Sequence, residues 1–438
     1  MIRFSAWLFA CLLIVRPATA QQSTEPASSV RVVPMGEGWA RSSVNAVIFR
    51  QHSVVTHDST QYAAYYDAAG YVVLVKRTLG SDRWETHRTA YTGTVEDAHN
   101  AISLAVDGAG VLHIAWDHHG QPLRYARSLR PGGLALSEPV GMTGAAEDRV
   151  TYPQFFALPE GDLLFLYRGG RSGDGNILLN RYDVAERTWH TVQHPLIDGQ
   201  GQRNAYVNQL AVDPRGGWHL SWCWRETPDV ASNHDVAYAY SPDEGHTWQT
   251  SSGRPYALPI TIDNAEVVYP VPQGRELINQ TSMTVDAAGR PLIATYWRPA
   301  GSEVPQYQLV WYDGAEWHAR QVGQRTMPFR LSGGGTKRIP MSRPQVLAGR
   351  DGAVYLVFRD FERGGGISVA VSTDPDRAVW EVRDLYTPSV GLWEPSYDPV
   401  VWQRYGQLHL FSQRVGQGDG ETLEDVPPQP ISILEWHP

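Results

Sequence analysis

The chain has 438 residues, with 37 basic and 46 acidic side chains and a formal net charge of −9. An apolar fraction of 42% excludes a disordered chain, and the acidic balance without a basic cluster excludes general nucleic-acid binding. Its 16 Trp, 21 Tyr, 41 Gly and 30 Pro point away from helical bundles and toward an all-β chain with many turns.

Residues 1–20 read as a secretory signal peptide. Arg3 supplies the charged start, Ala6 to Val15 the apolar segment, and Ala18-Thr19-Ala20 the small-residue cleavage site. A lipoprotein reading at Leu8-Phe9-Ala10-Cys11 would discard most of that apolar segment. Cleavage removes Arg3, Arg16 and Cys11, so the formal charge moves from −9 to −11 and Cys223 is the one cysteine left. A secreted or periplasmic protein without an intramolecular disulfide is therefore expected. No later stretch is apolar for long enough to span a bilayer, and 21–438 reads as a single domain.

From Asp67 onward one unit recurs seven times: a turn ending in Gly, a short apolar strand, then a polar residue that ends it. The turns are Asp67 to Gly70, Asp107 to Gly110, Pro159 to Gly161, Asp213 to Gly217, Asp286 to Gly289, Arg350 to Gly352 and Gln403 to Gly406. Intervals of about 40 to 70 residues suit propeller blades better than a solenoid, so the predicted fold is an all-β, seven-bladed β-propeller. A further strand follows in each unit, as in Leu123 to Ser128, Ile177 to Tyr182 and Val236 to Ser241. Trp84, Trp189, Trp248, Trp317 and Trp380 come next and are expected to fill the space between sheets. Ser241-Pro-Asp-Glu-Gly-His-Thr-Trp248 matches an Asp-box hairpin, a structural turn, and Ser372 to Trp380 is a degenerate copy. Pairing of the last strand, near Ile431 to Trp436, with Val30 to Val33 is expected to close the fold.

Alignment of the units on their glycines places Arg77, Arg168, Arg225, Arg298, Arg359 and Arg414 just past the Gly strand, with His119 in the second copy. Strand ends of this kind collect around the mouth of a propeller channel. Structural pairing with carboxylates such as Asp360 is the plain reading of any one of them. Six guanidinium groups at equivalent places suit a carboxylate- or sulfate-bearing ligand, whatever the net charge. The densest polar sequence lies in the second and third units: Asp97-Ala-His99-Asn100, Asp117-His118-His119-Gly120, Thr151-Tyr152-Pro153 and Tyr167-Arg168. First-strand starts and second-strand exits meet at one face, so His99, His119, Tyr152 and Arg168 are expected to converge. Two His, a Tyr and an Arg offer acid–base groups and a carboxylate clamp without a serine nucleophile or a carboxylate pair. That set favours removing the weakly acidic H5 of a uronic acid and expelling O4, a β-elimination.

These motifs, with Val44 to Arg50, Tyr65-Tyr-Asp67, Tyr152-Pro-Gln-Phe155, Ser172-Gly-Asp-Gly175 and Asn233-His-Asp235, resemble the BNR-4 repeat group of seven-bladed propellers over nearly the whole mature chain. The group contains ulvan lyases and relatives acting on rhamnose–glucuronate linkages. The resemblance implies a polysaccharide lyase whose site has two His about twenty residues apart and a Tyr and an Arg sixteen apart. His99 and His119, then Tyr152 and Arg168, have those separations. By that match His99 and Tyr152 are base and acid in unfixed order, and His119 and Arg168 neutralise the carboxylate. Some relatives are α-L-rhamnosidases using one His near the first blade, where this chain has Gln51 and His52. A non-catalytic glycan-binding propeller is the further alternative.

Asn100, Arg225, Arg298, Arg359 and Tyr206 are candidate substrate contacts, and Arg203-Asn204 and Asn279-Gln280 enter first strands where sugar could be reached. No cofactor is expected to be required. A structural metal on Cys223, His219 and His234 is the one metal possibility, against the plainer reading of a buried thiol. His113 and His409 are expected to be packed and hydrogen-bonded. Gly333 to Gly335 and Gly364 to Gly366 are expected to be loops over a face. The predicted partner is an anionic polysaccharide, with no nucleic acid and no membrane span, and a monomer is expected.

Overall fold

The computed structural model describes residues 30–438, so the expected signal sequence lies outside the described residues. The described chain is all-β and is built of successive antiparallel units. The first comprises strands Val54–His57, Thr60–Tyr66, Tyr71–Thr78 and Glu85–Thr92, and the second Ser103–Val106, Leu112–Ala115 and Tyr125–Arg127. The third has Val150–Ala157, Leu163–Arg171, Asp174–Asp183 and Thr188–Ile197, and the fourth Asn204–Val212, Trp218–Arg225, Asn233–Ser241 and Glu266–Tyr269. Ser282–Val285, Pro291–Trp297, Gln306–Tyr312 and Trp317–Val322 form the fifth. Gln345–Ala348, Val354–Arg359, Ile367–Ser372 and Glu381–Tyr386 form the sixth. In the last sheet Gln429–Trp436 lies between Arg31–Gly38 and Leu408–Gln413. Val33 faces Ile433 and Arg31 faces Glu435, so the expected pairing of chain ends is present.

Local turn chemistry explains the repeat. In four units the Asp opening the turn accepts two backbone N–H groups: Asp67 from Ala69 and Tyr71, Asp107 from Ala109 and Val111, Asp213 from Arg215 and Gly217, Asp286 from Ala288 and Arg290. Gly70, Gly110 and Gly289 take the left-handed conformation that completes it, at φ of 79, 79 and 78°. In the fourth unit that residue is Gly216, one position before the glycine used for alignment. The Asp-box behaves as a structural hairpin: Gly245 N donates to Ser241 Oγ, Thr247 N to Asp243, and Trp248 is buried.

Burial falls outward across each unit. Trp218–Arg225 is buried at every position, whereas Glu85–Thr92 and Glu381–Tyr386 are largely exposed. The apolar cores lie between neighbouring units. Leu166, Leu179, Trp218, Trp222 and Trp248 pack together between the third and fourth, and Tyr125, Phe155, Phe165 and Trp189 between the second and third. Each fully buried Phe there contributes roughly 1.5–3 kcal/mol. His113 and His409 are packed and hydrogen-bonded as expected, His113 to Tyr125 and Asp107 and His409 to Gln61. First strands of units one and two, two and three, four and five, and five and six lie against one another. Val55, Leu104, Phe155, Leu210, Met283, Ala348 and Tyr397 line a common cavity of about 1040 Å³.

Candidate functional site

A second cleft, of about 200 Å³, opens where first strands begin and second strands end. Asp97 caps the short turn Ala98–Asn100 by accepting the His99 N–H at 2.9 Å. The same carboxylate also holds two imidazoles. Oδ1 lies 2.6 Å from Nδ1 of His99 and Oδ2 lies 2.6 Å from Nδ1 of His119. The rings stack with centroids 3.9 Å apart and planes 9° from parallel, and Phe49 stacks on the other side of His99. His119 is placed by a short strand, His119–Gln121, that pairs with Thr151 of the third unit.

Tyr152 reaches the cleft because its strand is irregular. Pairing with the neighbouring strand skips from Thr151 to Gln154, and Tyr152 takes a left-handed φ of 55°. The bulge turns the ring toward His99, 5.5 Å between centroids, with its edge on Phe49. Arg168, opposite Thr151, carries its guanidinium 5.0 Å over the Tyr152 ring and donates to Tyr206 Oη at 3.3 Å. Gly175 makes room for this arm: a Cβ there would lie 2.9 Å from Arg168 Cδ. Arg225 lies 5.0 Å over the Tyr206 ring and donates to the Asp229 carbonyl. Ser172 Oγ is 3.2 Å from Tyr206 Oη.

Arg168 and Arg225 are 3% and 7% exposed, yet neither has a carboxylate partner among the described residues. Arg168 Nε is buried and makes no hydrogen bond there. Arg343, also at the cleft, differs, because Glu394 holds its Nη1 at 2.8 Å. The titrating groups are pushed apart. Burial works against charge on His99, but its bonds to Asp97 and Glu421 outweigh that and raise it to about 9. Burial lowers His119, assisted by the charges of His99 and Arg168 and opposed by Asp97. Burial raises Tyr152 well above an ordinary phenol. Burial would raise Tyr206 too, but Arg168 and Arg225 outweigh it and bring it down to about 7.

His99, His119, Tyr152 and Arg168 thus meet in one cleft, joined by Tyr206 and Arg225. Most of the remaining candidates do not join them. Asn100 is buried with its amide on the Thr94 carbonyl, because the turn that brings His99 to the cleft directs the next residue inward. The expected ring of arginines is replaced by two of its members. Arg77 pairs with Glu435, Arg298 with Glu276, and Arg359 is fully buried against the carbonyls of Ile339 and Trp393. Equivalent strand ends do not meet equivalent carboxylates, so the copies diverge in partner. Asn279 and Gln280 line the cleft, whereas Arg203 pairs with Glu226.

Asp97, Glu421 and Arg343 had no role in the sequence reading. Asp97 had a signal in its place two residues before His99. Arg343-Pro344 enters its unit as Tyr152-Pro153 does. Glu421 had none, since it arrives from a distant loop. Gly333 to Gly335 does lie over the cleft, Gly334 and Gly335 lining it.

Cys223, His219 and His234 do not come together as a metal site. His219 bonds Tyr238 and Asp213, His234 bonds Asp235 and Glu226, and burial pushes the Cys223 thiol up to about 12. Asp97, His99 and His119 cluster, but nitrogen–oxygen contacts of 2.6 Å are direct hydrogen bonds. His52 lies at the larger cavity instead, edge-on to Phe156, and burial lowers it to about 4; neighbouring Gln51 donates to the Asn208 carbonyl.

The sequence model of a family described as "BNR repeat-containing family member" matches residues 60–325. An ulvan lyase, long isoform, from Pseudoalteromonas sp. (strain PLSV) is 30% identical over 228 residues, 40% of this chain and 23% of that protein. Another from Alteromonas sp. is 26% identical over 229 residues, with the same shares. The match therefore spans about a quarter of the length of these relatives. Among solved structures, the polysaccharide lyase Uly1 superposes with a TM-score of 0.63 at 17% identity, covering 88% of this chain and 89% of that one. A PL25 ulvan lyase bound to -[GlcA(1-4)Rha3S]- gives 0.64 at 13%, covering 92% and 95%. These likenesses show a shared fold.

Proposed function

Because this chain belongs to the BNR repeat-containing family and holds two buried arginines without carboxylate partners beside paired imidazoles, we propose that it is a polysaccharide lyase acting on a uronate polymer. The observation that carries this reading is the pair Arg168 and Arg225, buried without a carboxylate partner among the described residues. Buried guanidinium groups are costly unless an anion satisfies them, and their forked donors match a carboxylate. A uronate carboxylate seated there would bring C5 to the imidazoles and O4 to a phenol. Tyr152, held protonated by burial, suits proton donation to departing O4. Arginine charge stabilises the enediolate formed when H5 is lost. The ulvan lyases to which the chain is similar favour a rhamnose–glucuronate, ulvan-like polymer as substrate.

The fold reading that goes with this is a single seven-bladed propeller over 21–438. Six sheets in chain order, the nine-stranded one holding the third and fourth units side by side, the pairing of first and last strands and one cavity lined by successive first strands support it. Among the described residues no helix is long and apolar enough to cross a membrane. Export through the signal segment and a monomeric state complete the proposal.

The test is incubation of purified protein with ulvan and other uronate polymers, and with rhamnosyl-glucuronate, recording ultraviolet absorbance and reducing ends together. A lyase gives new absorbance from the unsaturated uronate. Reducing sugar without absorbance would instead identify a hydrolase such as an α-L-rhamnosidase, for which His52, one of the two imidazoles at the larger cavity, is the candidate. Neither signal would leave a glycan-binding protein.

A further inference from the structure

The last loop of the chain crosses to the cleft. Asp419–Glu421 forms a single short turn, and its Glu421 carboxylate inserts beside the stacked imidazoles. Oε1 lies 3.2 Å from His99 Nδ1 and also accepts the Thr336 N–H, while Oε2 accepts the Ala98 N–H at 3.2 Å. Lys337 fastens the same turn through Asp419 at 2.7 Å. His99 Nδ1 therefore faces two carboxylates, Asp97 and Glu421, whereas His119 Nδ1 faces Asp97 alone.

We propose that Glu421 is a positioning residue that, with Asp97, holds His99 as the imidazolium of the pair and leaves His119 as its neutral, proton-accepting member. The assignment rests on the lyase reading for its chemistry and on geometry for its charge. Two carboxylates call for at least one cation between them, and rings stacked at 3.9 Å cannot both be cations without strong repulsion. The cation belongs where both carboxylates are, at His99. The groups facing the pair agree. Asp97 and Glu421 favour charge on His99; Arg168 disfavours it on His119; Tyr152, with its raised value, adds no charge; Thr336 supplies only a hydroxyl, 3.5 Å from His99 Nδ1.

Both Nδ1 atoms are bound to Asp97, so each imidazole turns Nε2 away from that carboxylate. On this assignment H5 leaves C5 as a proton to Nε2 of His119. The C5–H electron pair becomes the C4=C5 double bond, the C4–O4 bond breaks, and O4 takes the phenolic proton of Tyr152. The imidazolium of His119 returns its proton to the phenolate through solvent, and His99 contributes a fixed positive charge throughout. This exchanges the two histidine roles expected from family resemblance.

The experiment combines histidine-selective NMR titration of the whole protein with pH profiles of kcat/KM on ulvan, for the wild type, Glu421→Gln and Glu421→Asp. The expected result is that wild-type His99 is cationic and His119 neutral at pH 7. Glu421→Gln lowers the His99 titration by about one unit or more and moves the alkaline limb of the profile down with it. Glu421→Asp restores both in part. A neutral His99 in the wild type, or a titration and alkaline limb unmoved in Glu421→Gln, overturns the assignment. Should Glu421→Gln fail to fold, the wild-type titration decides alone: His119 titrating above His99 sinks the proposal. Absence of turnover by wild type on every uronate polymer overturns the lyase reading, while the titration still decides the charge.

Discussion

Replacing Arg168 with methionine separates a guanidinium kept for substrate from one kept for the fold. The Arg168 and Arg225 guanidinium carbons lie 5.8 and 5.0 Å from the same Tyr206 ring centre, so they are within about 11 Å of each other. At an effective dielectric near 20 that repulsion is roughly 1.5 kcal/mol or more. Arg168→Met relieves it, together with the cost of several kcal/mol of keeping a buried cation without an anion, but loses cation–π contacts with Tyr152 and Tyr206, about 0.5–2 kcal/mol each, and one hydrogen bond to Tyr206, about 1 kcal/mol. These terms nearly cancel, so folding stability should change by no more than about 1 kcal/mol. Activity should not be spared. Loss of a preorganised charge on the developing enediolate costs about 10²–10³-fold in kcat. Arg77→Met is the contrast, since it takes one of the two arginine partners of buried Glu435, leaving Arg31, and strips buried Gln61 Oε1 of its donors, and should cost about 2–4 kcal/mol. Denaturant unfolding and initial rates of absorbance gain on ulvan measure both. An Arg168→Met protein that unfolds as readily as Arg77→Met, or that turns over at the wild-type rate, refutes the reasoning.

Tyr152→Phe should fold normally and lose about 10²–10⁴-fold in kcat; kinetics on the same substrate check this, and a rate within a factor of two of wild type removes Tyr152 as the acid. Gly175→Ala should displace Arg168, because the new Cβ would sit 2.9 Å from its Cδ and 2.8 Å from Asn204 Oδ1. About 10²-fold lower kcat/KM is expected from that misplacement, read against an unfolding curve moved far less. His99 also makes stability depend on pH. Its folded value, about 9, lies above the ordinary imidazole value of 6.5, so its contribution is complete below 6.5 and is lost as pH rises through 9. Unfolding free energy should fall by about 3 kcal/mol over that window, and His99→Asn should flatten the fall. An equal decline in both proteins would contradict this.

The architecture was legible because its signals are local. An Asp two and four residues before a backbone N–H, followed by glycine, makes the same turn wherever it occurs, and Asp67, Asp107, Asp213 and Asp286 did so. His99, His119, Tyr152 and Arg168 were found for a related reason: strand entries and exits put them at the same end of adjacent units. The arginine ring went astray because a charged residue's role depends on the carboxylate packed beside it. Arg77 met Glu435 and Arg298 met Glu276, whereas Arg168 and Arg225 met none.

By itself, then, the amino-acid sequence determined the repeating β-unit and the neighbourhood of the cleft, since both follow from turns and spacings within one or two units. Only the tertiary structure decided which buried arginines lack a carboxylate partner and which imidazole faces two carboxylates. Those depend on contacts such as Glu421 with His99, made between segments far apart along the chain. Coulombic and desolvation energies are set by distance and burial in space, and no local pattern encodes either.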